Sequence, residues 1–182
     1  MDRFIQYVLP YVPGCPKALI KTHVLLAANE FCRKSFVWQE TITETIASAT
    51  DEVYAAPYIS GADVVDVNVK VNDRAVNNYE FSAVSVVFES DLAAGDEVEI
   101  TLYLAPARYA TSLPDLLYND WLEGVAAGAR AAIMRMPGKD WHNPQLYMIE
   151  QKTFAHQIGQ ARIKGERKNL QTHNRIQPRP WV

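Results

Sequence analysis

The spacing of apolar residues changes twice along this chain, and that change limits the folds open to it. From Ala18 to Ser35, Ile20, Val24, Ala28 and Phe31 recur at helical intervals and Leu25 and Cys32 widen the stripe, with Lys21, Asn29, Arg33 and Lys34 on the far side. By residue 64 the interval is two. VVDVNVKVN puts Val65, Val67, Val69 and Val71 on one face of a strand and Asp66, Asn68 and Lys70 on the other; EVEITLYL at 97–104 repeats the pattern with Val98, Ile100, Leu102 and Leu104. Helical spacing then returns through Leu122, Val125, Ala126, Ala129 and Ile133, and again through Tyr147, Phe154, Ile158 and Ala161. Helices therefore flank a β segment.

Turn and cap residues divide these runs. Pro-Gly-Cys-Pro at 13–16 predicts a helix start at Pro16, where a missing N–H is tolerated. Asn72-Asp73 and Ala94-Gly95-Asp96 read as turns, and weaker strand signals lie at 37–46 and 81–88. In SLPD at 112–115, Ser112 is the expected N-cap, with Asp115 near the positive end of the helix dipole. Pro137-Gly138 ends that helix, Asn143-Pro144 opens the next, and this one is expected to fade near Gly165. Gly124 and Gly128, one turn apart, predict close helix packing at the cost of helix propensity. The expected architecture is α+β: a three-helix bundle with an inserted, mostly antiparallel β unit and an extended C-terminal arm. Residues 1–36 and 107–164 form the bundle, 37–106 a β insertion projecting from it with one wet face, and 165–182 the arm.

The arm is unusual for a free tail. It carries Arg167, Lys168, Arg175 and Arg179, but also Leu170, Ile176, Trp181 and Val182, with Pro178 and Pro180 restricting its backbone. Free tails are normally polar throughout, because nothing favours apolar side chains there. The segment reads as loose by itself, with anchors meant for a protein surface. From Arg162 onward the chain bears a net +5, so the overall −3 leaves about −8 on residues 1–161. An acidic body with a basic arm favours contact with another copy or an acidic protein; a solvated extension and contact with nucleic acid are the competing readings, the second opposed by the acidic body.

Recognisable chemistry is sparse. Cys15 and Cys32 lack ligand or disulfide-framework spacing and read as buried thiols of a reducing compartment; His23, His142, His156 and His173 form no metal pattern. No phosphate loop, GxSxG or HExxH occurs, so neither catalysis, cofactor nor metal is expected. His142 beside Asp140 reads as a capping loop, or as the general acid/base pair of a small hydrolase. Trp38, Trp121 and Trp141 read as core or interface anchors. A carbohydrate-binding β unit is another option, although Tyr54, Tyr58, Tyr79 and Tyr103 are not clustered in sequence. No run suits a membrane span, and MDRFIQYVLP lacks a signal-peptide core.

Two stretches together carry a resemblance. LPYVPGCPKALIKTHVLLAANEFCRKSFVWQETI at 9–42 and TSLPDLLYNDWLEGVAAGARAAIMRMPGKDW at 111–141 resemble the head–tail adaptor (connector or neck) proteins of tailed bacteriophages. The shared features are VPGCP before the first helix, F-C with W-x-E after it, and LP-x-x-L-x-x-D-W leading into a small-residue helix ending in MPGK. The resemblance implies a non-enzymatic virion protein, made in the host cytoplasm. It would form a ring of identical subunits, expected as a dodecamer, between portal and tail or nozzle protein. DNA would pass through without sequence-specific binding. It also implies that a terminal extension, here 165–182, reaches into the portal or a neighbouring subunit. Glu40, Glu44, Asp66, Glu97 and Glu99 are candidates to line the channel. A tail-completion or terminator protein is the alternative within structural proteins.

Overall fold

A computed structural model describes residues 1–55, 60–82 and 84–166, together with the helical backbone of 167–170. Among the described residues the chain has four α-helices and two antiparallel sheets, in the order α1 (Asp2–Val8), a 3-10 turn (Leu9–Tyr11), α2 (Lys17–Ser35), β1 (Gln39–Thr45), β2 (Thr50–Tyr54), β3 (Ala62–Val71), β4 (Arg74–Val76), β5 (Tyr79–Ser82), β6 (Ser85–Leu92), β7 (Glu97–Pro106), α3 (Asp115–Met134) and α4 (Pro144–Leu170).

This corrects the expected three-helix bundle with one inserted β unit. A first helix, α1, buries Phe4, Ile5 and Val8 against the others. The strands split into a four-stranded sheet, β1-β7-β3-β4, and a three-stranded sheet, β2-β6-β5. Nor does the β region simply project. Asn29 of α2 donates to the Pro106 carbonyl at 2.7 Å, and the Leu104 amide donates to the Trp38 carbonyl at 2.9 Å. One apolar cluster runs from Ile20, Phe31, Leu117 and Ile133 of the helices through Ile100 and Leu102 of β7 to Val53 and Phe88 of the smaller sheet. The physical reason is that β7 is central in its sheet and apolar on one face, so a helix end covers it better than water does.

Several boundaries differ from expectation for local reasons. Pro16 occupies the N-cap position and α2 begins at Lys17. α3 begins at Asp115 with Pro114 in the cap position, not Ser112, and the Asp115 carboxylate accepts from Arg3 at 3.0 Å. At α4, Asn143 does cap the helix, its Oδ1 accepting the Leu146 amide at 3.0 Å. The expected arm boundary also moves: α4 continues to Leu170, so residues 165–170 are helical. Gly165 is buried rather than terminal, and a Cβ there would lie 3.1 Å from the Phe36 carbonyl oxygen. Its missing side chain lets α4 lie against the end of α2. Residues 171–182 lie outside the described residues.

The alternation in β3 is interrupted by a bulge. Val64 pairs with Leu104 and Asp66 with Tyr103, leaving Val65 as the extra residue. The β3–β4 hairpin turns through Asn72 (φ 51°) and Asp73 (φ 62°), a left-handed pair matching the strand twist.

Candidate functional site

A candidate site lies where α2 ends, β1 begins and the last turns of α4 pass. α2 closes at Phe36, whose φ of 53° lies in the left-handed region that glycine normally fills, while its amide donates to the Cys32 carbonyl at 2.9 Å. A bulky side chain held there is strained, and such strain is retained only where surrounding contacts hold it. Here the Phe36 ring meets Tyr103 edge-on, with centroids 5.2 Å apart. Gln39 ties the end of α2 to the later turns of α4: its Nε2 donates to the Phe36 carbonyl at 2.8 Å and to the Gly165 carbonyl at 3.3 Å.

Around this junction lies a groove of about 350 Å³, lined by Phe36, Gln39, Asp66, Val67, Asn68, Asn77, Tyr79, Tyr103 and Glu166. Asp66, Asn68 and Tyr103 come from β3 and β7 just past the bulge, Gln39 from β1, Tyr79 from β5, Glu166 from α4, and Asn77 from the link between β4 and β5. Tyr79 crosses from the smaller sheet to donate to the Val67 carbonyl at 2.9 Å. Burial raises the Tyr79 pKa, with the Asp66 carboxylate and Tyr103 adding to the shift, so its hydroxyl stays neutral. Among the described residues the lining holds two carboxylates, Asp66 and Glu166, and no lysine or arginine. Glu166 pairs with Arg162 at 2.9 Å in an exposed contact of little net worth.

The arm residues named from sequence divide at α4. Arg167, Lys168 and Leu170 belong to its last turns, while Arg175, Ile176, Pro178, Arg179, Pro180, Trp181 and Val182 lie outside the described residues. Gly124 and Gly128 sit where three helices converge. A Cβ at Gly124 would lie 2.9 Å from Phe31 of α2 and 3.0 Å from Gln157 of α4; one at Gly128 would lie 2.7 Å from the Phe154 ring and 3.0 Å from Ala27.

The candidate channel acids do not share one surface. Glu40 and Glu44 pair with Leu102 and Val98, and so lie on the opposite face of the sheet from Asp66, Glu97 and Glu99. Glu99 is paired with Lys70 at 2.6 Å. His142 places Nδ1 2.9 Å from the Met134 carbonyl, which caps the end of α3, and makes no described contact with Asp140. His156 lies 3.0 Å from Gln160 on the exposed side of α4, and half-buried His23 has its pKa lowered by burial and by the Arg135 charge. Trp38 and Trp121 are buried, the Trp121 ring 5.6 Å from that of Phe31. Tyr54 is exposed on β2, away from the groove holding Tyr79 and Tyr103, and Tyr58 lies outside the described residues. Both cysteines are free and buried, and burial pushes the Cys32 thiol up to about 12. No group of acidic, histidine or cysteine side chains able to hold a metal occurs among the described residues, and no described helix is long and apolar enough to cross a membrane.

Sequence reasoning missed Arg130. It is 2% exposed, pairs with Glu123, lies 2.7 Å from Glu150 Oε2, donates to the Tyr7 carbonyl at 3.2 Å and stacks 4.4 Å from the Tyr11 ring centroid. The Glu150 contact is a charge pair rather than an aligned hydrogen bond, since Oε2 has no hydrogen-bond partner. Burial works against the Arg130 charge, but Glu123 and Glu150 more than restore it and raise its pKa. The residue joins α1, α3 and α4. Its one sequence signal is a lone charge inside GVAAGARAAIM. Compared with family models and with curated proteins, the chain matches none.

Proposed function

We propose that this chain is a structural head–tail adaptor of a tailed bacteriophage, a ring subunit that sits beneath the portal and joins it to the tail around a DNA channel. The observation that carries the reading is the packing of the two resembling stretches. Residues 9–42 and 111–141, separated by the strands in sequence, meet as α2 against α3, with Gly124 and Gly128 at the contact and Phe31 on Trp121. A motif set that builds one rigid unit from two distant segments is what a shared scaffold requires. The acidic body suits a channel wall, because a basic wall would hold passing phosphates.

The mechanism is mechanical joining. A closed ring needs two different, complementary faces on each subunit. Arm residues beyond α4 supply the anchor, with Ile176 and Trp181 as apolar contacts and Arg175 and Arg179 as charges. The subunit is expected in the neck of the virion, in contact with portal, neighbouring copies and the tail or nozzle protein. Deleting residues 171–182 is expected to leave far-ultraviolet circular dichroism unchanged while abolishing co-purification with portal. Portal binding undiminished by the deletion would remove the anchoring role. A particle reconstruction in which the neck lacks this chain would remove the adaptor reading altogether.

A further inference from the structure

We propose that the groove at the end of α4 is a docking site for an extended basic peptide, and that in the free subunit its occupant is the chain's own residues 171–182. This goes beyond the adaptor reading and does not depend on it.

Charge and chemistry match. The groove presents Asp66 and Glu166, the amides of Asn68 and Asn77, and the aromatic rings of Phe36, Tyr79 and Tyr103. The segment QTHNRIQPRPWV brings Arg175 and Arg179 for carboxylates and ring faces, and Ile176 and Trp181 for the apolar wall. Its two prolines lower the entropy lost when such a segment is held extended.

The connection also fits. Glu166 lines the groove and α4 ends at Leu170, so the segment begins about 6 Å along the helix axis from the groove rim at 1.5 Å per residue. Twelve residues reach up to about 40 Å, enough to reverse direction and cross the groove. Tethering at that distance gives an effective concentration in the millimolar range, so even a weak site fills in cis. Phe36, held at a φ of 53°, and Asp66, next to the β3 bulge, both line this concavity. An arm held this way is shielded until a partner with a better site takes it over.

Trypsin reads the docking directly in the full chain. Arg175-Ile176 is cleavable, whereas Arg179 is followed by proline, so release of residues 176–182 is followed by mass spectrometry and normalised to a free peptide of residues 171–182. Docking predicts slower release from the chain than from the peptide. Asp66→Lys, or Asn77→Lys should the first variant fold poorly, is expected to speed release about fivefold, the scale of one partly exposed ion pair. About 0.5 M salt should do the same. Asp51→Lys, which makes the same charge change on exposed β2, should change nothing. Release as fast as from the free peptide overturns the proposal, as does an equal response to Asp51→Lys and Asp66→Lys. Protection that grows over about a hundredfold range of protein concentration would place the arm on a second copy and overturn docking in cis. None of these outcomes involves the portal, so failure here leaves the adaptor reading standing.

Discussion

α3 and β3 have similar standing in the chain but bury their residues in opposite ways. α3 is buried without interruption from Gly124 to Ala131, enclosed by α1, α2 and α4. β3 buries only Val69 among its ten residues, and its other positions stay partly or fully open. The helix achieves enclosure largely through small residues, and at Gly124 and Gly128 the rings of Phe31 and Phe154 reach its backbone. The strand keeps one polar face, and that face supplies Asp66 and Asn68 to the groove. A crowded helical unit thus provides rigidity, while a more open sheet provides surface for binding.

The contrast can be broken most severely at the one charge inside the crowded unit. Arg130→Met leaves Glu150, 7% exposed, without its partner and is expected to cost about 3–5 kcal/mol in urea unfolding. Adding Glu150→Leu should recover a large part of that loss. A double variant no more stable than Arg130→Met would show that the pair is not what holds α4 to α3.

A smaller effect is expected from glycine. Gly128→Leu drives a side chain into Phe154 and Ala27 and should cost about 1–3 kcal/mol. Gly159→Ala, on the outer side of α4 with open space around it, should instead stabilise by about 0.5–1 kcal/mol. Equal signs for the two, measured by thermal unfolding, would mean that α3 is less tightly enclosed than described.

On the sheet, Lys70→Ala removes a 2.6 Å pair with Glu99 that is far more exposed than Arg130, and should cost at most about 1 kcal/mol, less at high salt. The smallest effect is at His23. Its folded pKa is lowered by burial and by Arg135, so the unfolded chain binds more protons as pH falls below about 6.5. Its contribution is therefore complete above that pH and is lost on acidification. His23→Gln should flatten the stability profile between about pH 7 and pH 5, and an unchanged slope would place the pH dependence elsewhere.

Periodicity in residues 18–35, 64–72, 97–104 and 122–133 is enough to reveal α2, β3, β7 and α3, because local backbone geometry sets the interval at which apolar residues recur along each. The short elements α1, β2 and β4 carry too few residues to show a period. Gly165 looks like a helix end because glycine is a poor helix former, yet it serves close approach to Phe36. Arg130 gives little warning, since its partners Tyr7, Glu123 and Glu150 are spread over three helices.

Element types, the turn at Asn72-Asp73, the cap at Asn143 and the charge opposition between body and tail were all written in the order of residues, since each depends on neighbours within a few positions. Strand partners, the division into two sheets, the enclosure of Arg130 and the groove beside Glu166 arose only on folding. They depend on groups up to more than a hundred positions apart, as in the Gln39 to Gly165 contact, and no local pattern encodes which distant surfaces will meet.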